Sequence, residues 1–488
     1  MKLRAAIDYL GGNAPQFAPA SADREVTSFV IDSREVKAGD VFFALSQPEY
    51  AANGFNGDFV DSTVFAVSAL RNGAVAAVVR EDRFAEHAGD LSEFPDRLIF
   101  VDDCIAALQR LAHGVYLEWN RPVVAITGSA GKTTAKELTA TVLEGSGRKV
   151  LRNIKNYNNG LGHPLTVLNL AKDPTYDIAV LEMGMSTPLK EIQRLCKITP
   201  PDVSVVLNVL GVHVEHLGSI DGVAAAKAEI VEGMKEGGVA VLNVDDLRVA
   251  AMAKLSRGEV LTFGIDNEAD VRASKIEVDG FDATTFELTI PTGVSTVRLP
   301  LSGKLNVMNA LAAAAVGYNL GMSGSEIADA LRNACSPPQR SEILRFAHGF
   351  TVINDSYNSN PSALISMATT LIESSPGASR RIVIAGEMLE LGENASDIHR
   401  ETGERIAAMD VDVIIGVRGF GRDLASGAVD AGFADARFAD DSEMAARILM
   451  DEIKPGDVVL VKGSRGVRTE IVTERLLEKY ELVQTVST

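Results

Sequence analysis

The sequence predicts an α/β protein of three domains. A small N-terminal α/β domain is followed by a central P-loop-type parallel sheet with a small antiparallel region, then by a C-terminal Rossmann-like domain. Three observations predict this. Short strands that are apolar throughout, such as PVVAI, DIAVLEMG, RIVIAGEM and DVVLVKGS, alternate with helical stretches, as in parallel sheets covered on both faces. The stretch KIEVDGFDATTFELTIPTGVSTVRL alternates polar and apolar residues instead and reads as antiparallel hairpins. A chain of 488 residues has room for about three domains.

Residues 1–121 carry the strand candidates SFVID, DVFFAL, AVAAVV and RLIFV. Residues 122–336 open on PVVAI and continue through DIAVLEMG, VSVVLNVL, GVAVLNVD and VLTFG to the hairpins. Two helices follow, NVMNALAAAAVGYNLGM and GSEIADALRNA. The Ser-Pro-Pro at 336–338 is the clearest linker in the chain. Residues 337–488 then carry TVIND, RIVIAGEM, VDVIIGV and DVVLVKGS.

Hydrophobic residues make up 46% and charged residues 23%, an ordinary balance for a globular protein. The net charge of −19 argues against nucleic acid or an anionic membrane as partner, since both reward a basic surface. It does not disfavour a small anionic substrate, for which a few local cations suffice. Cys104, Cys196 and Cys335 are far apart and form no CxxC pair, which fits a reducing compartment. No stretch approaches the roughly 20 apolar residues of a membrane span. The N-terminal MKLRAAIDYLGGNAPQF has neither a long apolar core nor a cleavage signal, so the expectation is a cytoplasmic enzyme.

The chemistry begins at AITGSAGKTTAKE, where an apolar strand gives way to a helix-forming run. Backbone N–H groups of such a loop converge on an anion, and the helix N-terminus adds its positive pole. Lys132 would reach the outer phosphates and the Thr133 hydroxyl would suit Mg²⁺. The common P-loop spacing is not met, because Ile126 stands where its first glycine would be; TGxxGKTT is a variant. The competing reading is a glycine-rich strand-to-helix turn that binds nothing. Glu182 ends the strand in LEMG, at the strand edge where ligands of open α/β sheets gather, and is a candidate Mg²⁺ ligand or else a solvated strand end. His213 and His216 follow VSVVLNV, and Lys227 lies 14 residues after His213 on the next helix. Singly, such residues are more often structural than functional.

Taken together, these residues resemble the ATP-dependent Mur ligases of peptidoglycan synthesis, along nearly the whole chain. TGSAGKTT resembles the family's ATP loop, here Gly128, Ser129, Ala130 and Gly131 leading into Lys132, Thr133 and Thr134. His213 with Lys227 is similar to the family's magnesium histidine and carbamoylated lysine. GKLNVMNALAAAA resembles its adenine-side pattern, with Asn306 and Asn309. PPQRSE and INDSYNSNPSA resemble its arginine and aspartate from the last domain, Arg340 and Asp355, with Tyr357 and Asn358 beside them.

The resemblance implies ATP and two Mg²⁺ ions, one held by Thr133 and Glu182, the other by His213 and a carbamate formed from CO₂ on Lys227. It makes Lys132, Glu182, His213, Lys227 and Arg340 the catalytic candidates. NYNNGLGHPLTVL, DSYNSNPSA, AGEMLELGENASDIH and VKGSRG look most like the branch that joins D-Ala-D-Ala to UDP-MurNAc-tripeptide through an acyl phosphate. VIDSREVKAGDVFFAL is similar to the family's UDP-holding domain, which puts Ser33 and Arg34 against the nucleotide-sugar. Asn156, Asn158 and Asn159 could bond the sugar or pyrophosphate, or be turn residues. The chain departs from the family after FFAL, at Leu305 and at Gly466. Another Mur ligase, a folylpolyglutamate synthase or a non-catalytic nucleotide-binding homologue are the alternatives. A monomer without nucleic-acid partners is expected.

Overall fold

The computed structural model describes residues 1–14, 19–55, 59–154, 156–185, 189–211 and 217–483, and three sheets organise them. The first is parallel and contains β1 (Phe29–Val30), β2 (Val41–Phe43), β3 (Ala76–Arg80) and β4 (Leu98–Val101), in sequence order. The helix Cys104–Trp119 buries one face under this sheet and also packs on the helices Gly162–Val167 and Glu191–Ile198 of the central unit. As a result, one apolar core runs without a break from Leu3 to Met252.

The central sheet contains β5 (Val123–Thr127), β6 (Val150–Arg152), β7 (Ile178–Glu182), β8 (Val203–Val206), β9 (Val239–Asn243) and β10 (Glu259–Gly264), with β11 (Val271–Asp279), β12 (Ala283–Ile290) and β13 (Gly293–Leu299) beyond. Its order is β13-β12-β11-β10-β9-β8-β5-β7-β6. The strands are parallel from β6 through to β11, and β11, β12 and β13 pair antiparallel, as the alternating stretch predicts. Val124, Ile126 and Val180 face the Ala-rich helix Lys304–Asn319 and its neighbour Lys132–Gly145 across one core. Alanines at 310 and 312–315 let the two helices approach closely over the sheet.

The third sheet has the order β14-β15-β19-β16-β17-β18, where β14 is Glu342–Arg345, β15 Thr351–Asp355, β16 Arg380–Gly386, β17 Val413–Val417, β18 Ala436–Ala439 and β19 Asp457–Lys462. Only the β14–β15 pair is antiparallel among its described pairs. The sequence reading contains no strand at β6, β14 or β18. Each of the three lies at a sheet edge, where three or four residues suffice and continuous apolar runs are not required. No helix among the described residues is long and apolar enough to cross a membrane. The three cysteines are free thiols, with Cys104 and Cys196 buried.

Candidate active site

In the central sheet the chain leaves β5 to one side for β6 and β7, then returns to its other side for β8. The carboxyl end of β5 is therefore a switch point, the place where open α/β sheets bind ligands. The loop after β5 leads straight into the helix Lys132–Gly145, with Gly131 as its N-cap at φ +82°. That left-handed backbone favours glycine, and a methyl group there would overlap Asn309 Oδ1. Gly131→Ala is expected to weaken ADP binding about tenfold or more, since left-handed strain alone costs ~1–2 kcal/mol; calorimetric titration checks it.

Neighbouring strands hold the loop in place. Asn208, just past β8, clamps Ala130 from both sides: its Oδ1 accepts the Ala130 N–H at 2.8 Å and its Nδ2 donates to the Ala130 carbonyl at 3.1 Å. The Ser129 N–H donates to the Asn208 carbonyl at 3.0 Å. Lys132 Nζ folds back on the Gly128 carbonyl at 2.8 Å. Burial lowers the pKa of this amine, and the Arg340 charge lowers it further, against the opposing pull of Glu182.

Glu182 ends β7 and is buried. Its Oε2 accepts from Thr133 Oγ1 at 2.8 Å and its Oε1 from Asn158 Nδ2 at 2.7 Å. Gly184 has no side chain to block that approach; a Cβ there would lie 2.9 Å from the Asn158 carboxamide. Asn158 thus serves the carboxylate, a role the sequence reading did not give it. Asn159 Oδ1 accepts the Leu161 and Gly162 N–H groups at 3.2 and 2.9 Å, which is turn chemistry. Asn156 is exposed at the cavity rim.

The C-terminal sheet closes the opposite wall. Arg340, Asp355, Tyr357 and Asn358 line one cavity with the phosphate loop, Glu182, Asn306 and Asn309. The linker that carries Arg340 is not free: the Ser341 N–H donates to Asp355 Oδ1 at 2.9 Å and the Tyr357 N–H to the Gln339 carbonyl at 3.2 Å. Arg340 lies over the Tyr357 ring, 4.1 Å from its centroid, and Arg465 approaches the same ring at 5.7 Å.

Lys462, at the end of β19, is a functional candidate missed in the sequence although VKGSRG is quoted there. Its ammonium pairs with Asp355 Oδ2 at 2.5 Å and donates to the Asn358 carbonyl at 2.8 Å, with 4% of the side chain exposed. Lys462→Ala removes the cation that pairs with Asp355, leaving that carboxylate only the Ser341 N–H already described, and is expected to destabilise the C-terminal unit by about 3–5 kcal/mol, read in urea unfolding.

Lys227 does not line this cavity. It sits on the helix Ile220–Glu232 and is 2% exposed. Burial pushes its amine well below the ordinary lysine range, and the Lys132 charge adds to the effect. Burial therefore favours the neutral amine there. His213 and His216 lie outside the described residues. Ser33 and Arg34 are apart from the cavity on a short 3-10 turn, and Arg34 is engaged with Asp32, Nη2 to Oδ2 at 2.6 Å.

Among the described residues no three His, Cys, Asp or Glu side chains cluster as a metal cage. The donor set fits magnesium instead, which takes one or two carboxylates and fills its shell with water and phosphate oxygens. Thr133 and Glu182 supply such oxygens at the loop.

Two family models match: the Mur ligase middle domain at residues 126–317 and the Mur ligase glutamate ligase domain at 339–465. A relative from Mycobacterium bovis, named UDP-N-acetylmuramoyl-tripeptide–D-alanyl-D-alanine ligase, is 35% identical over 96% of both chains. The chain belongs to the Mur ligase family. The Escherichia coli relative of the same name is 32% identical over 94% of this Mur ligase and 95% of its own length. Among solved structures, MurF from Acinetobacter baumannii superposes with a TM-score of 0.83 at 28% identity over 98% of both chains. MurF from Thermotoga maritima, solved with ADP, gives 0.76 at 30% identity over 93% of this Mur ligase and 98% of that chain. Mycobacterium tuberculosis folylpolyglutamate synthase gives 0.62 at 18% identity over 76% of this chain and 94% of its own, and shares the fold alone.

Proposed function

We propose that this Mur ligase joins the amino group of D-alanyl-D-alanine to the terminal carboxylate of UDP-N-acetylmuramoyl-tripeptide, converting ATP to ADP and phosphate in peptidoglycan precursor synthesis. One observation carries the reading. A single cavity brings the phosphate loop and Glu182 together with Arg340, Asp355, Tyr357 and Asn358 of the last sheet. It does so in a chain whose full-length relatives bear that enzyme's name.

The loop N–H groups and Lys132 hold the β and γ phosphates, Asn306 and Asn309 face the adenine side, and Arg340 neutralises phosphate charge from the opposite wall. A substrate carboxylate oxygen attacks the γ-phosphorus, the bond to ADP breaks, and an acyl phosphate forms. The dipeptide amine, having lost a proton to solvent, attacks the acyl carbon. The carbon–oxygen bond to phosphate then breaks, and the nitrogen gives up its extra proton to the departing phosphate, leaving an amide and inorganic phosphate. Two walls from two sheets exclude water from the labile acyl phosphate.

Thr133 and Glu182 are the residues that would hold one magnesium ion, and His213 with a Lys227 carbamate a second; bound there, the ions offset repulsion between anionic reactants. A neutral amine is the form that adds CO₂, losing a proton and becoming an anion, and burial of Lys227 favours that form. Ser33, Arg34 and Asn156 are assigned to the UDP-sugar, while the Asn158 donor is taken by Glu182 and the Asn159 acceptor by its own turn. The same reading divides the chain at 121 and 336 and places the enzyme in the cytoplasm as a monomer.

The test is phosphate release by purified protein. It should require ATP, D-Ala-D-Ala and a tripeptide ending in either meso-diaminopimelate or lysine. Release that persists without the dipeptide, or that needs glutamate in its place, would overturn the reading.

A further inference from the structure

Beneath the cavity, a ring of hydrogen bonds closes through four residues. Thr133 and Lys136 are three apart on the loop helix and so lie on one face. Thr133 Oγ1 donates to Glu182 Oε2 at 2.8 Å. One carboxamide grips the Glu182 backbone: Asn153 Oδ1 accepts its N–H at 3.0 Å, and Asn153 Nδ2 donates to its carbonyl at 2.9 Å. The Asn153 carbonyl in turn accepts from Lys136 Nζ at 2.5 Å, which returns the ring to the helix.

The sheet explains why a carboxamide is needed. β6 ends at Arg152, which pairs with Val180, so the edge strand supplies no backbone partner to Glu182 two residues further along β7. Asn153 carries a donor and an acceptor in the geometry of a peptide group and continues the ladder past its end. Its Nδ2 also donates to the Tyr157 carbonyl at 2.9 Å. Tyr157 precedes Asn158, whose carboxamide holds the other Glu182 oxygen. Both carboxylate oxygens are therefore fixed by groups tied to Asn153, directly or through the helix of Lys136. Lys136 is 1% exposed and Asn153 is 2% exposed, and neither lines the cavity. The Lys136 ammonium faces Glu137 at 2.8 Å, which compensates its buried charge.

We propose that Asn153, anchored by Lys136, is a positioning residue that sets the stance of Glu182 toward the divalent metal bound with the nucleotide. This rests on the reading of Glu182 as a metal ligand. Groups that orient metal ligands typically change metal affinity by about 10–100-fold when removed.

The experiment uses the full chain. Mn²⁺ affinity of the ADP complex is measured by electron paramagnetic resonance, and the Mg²⁺ concentration for half-maximal phosphate release is measured beside it. Asn153→Leu should weaken Mn²⁺ by about 10–100-fold and raise the Mg²⁺ midpoint in parallel. Lys136→Met, which cuts only the outer tie, should move both in the same direction by less, and it decides the matter if Asn153→Leu does not fold. Lys149→Met, on the same edge but outside the ring, should change neither. A lowered Tm with unchanged Mn²⁺ affinity in both ring variants would overturn the proposal. Glu182→Gln separates the two ideas. If it too leaves Mn²⁺ affinity unchanged, the metal reading of Glu182 fails. If it alone weakens Mn²⁺, only the ring proposal fails.

Discussion

Lys227→Met is expected to abolish ligation and at the same time to raise thermal stability. The amine is buried, and burial pushes its pKa well below the ordinary lysine value in the folded chain. The unfolded chain at pH 7 carries a proton there, because an ordinary lysine titrates near 10.5. Folding must bury that charge or release its proton, and either costs stability at every pH below 10.5, less and less as that pH is approached. Methionine fills similar space without the cost. In CO₂-depleted, metal-free buffer Tm should rise by about 2 °C or more at pH 7, and the gain should shrink as pH approaches 10.5. Phosphate release should fall beyond about 10³-fold, since the variant offers no amine to carry a carbamate and leaves anionic reactants unscreened. Bicarbonate should restore activity to CO₂-depleted wild type and not to the variant. Unchanged turnover in the variant would remove Lys227 from the site.

Lys132→Ala is expected to lower phosphate release by roughly 10²–10³-fold without loss of fold. The bond its amine makes among the described residues is to the Gly128 carbonyl of its own loop. Losing the side chain therefore removes a charge aimed at phosphate and little packing. A second effect follows from its neighbour. Lys132 is a cation that lowers the Lys227 pKa, so its removal raises that pKa and leaves more of the amine protonated. Residual activity should then need a higher pH than the wild type needs. Circular dichroism should match the wild type; a spectrum of an unfolded chain would contradict the account.

Most of the scaffold was legible because the physics behind it is local. An apolar strand followed by Gly-Lys-Thr fixes a loop against a helix end, and the loop lies at the switch point of the central sheet. Arg340, Asp355, Tyr357 and Asn358 were legible through resemblance, and the structure brings them to the loop across the linker. Residues that act by supporting others were not legible. Asn208 and Asn153 each use a carboxamide as a stand-in for a peptide group, and nothing in their spacing distinguishes them from turn asparagines. Lys462 reads as the polar end of an apolar strand until β15 and β19 are paired. Asn158 looks like a ligand contact in sequence, and only the fold reveals that Glu182 occupies its donor. Edge strands escaped for a related reason, since β6, β14 and β18 owe their conformation to one neighbour rather than to their own pattern.

The acyl phosphate can be tested atom by atom. UDP-MurNAc-tripeptide labelled with ¹⁸O in its terminal carboxylate is incubated with the enzyme, ATP and D-Ala-D-Ala, and the released phosphate is weighed by mass spectrometry. Attack of that carboxylate on the γ-phosphorus predicts one labelled oxygen in each phosphate formed, matched one for one with new amide. Unlabelled phosphate, or label arriving only from ¹⁸O water, would mean that ATP is cleaved without activating the substrate and would contradict the mechanism.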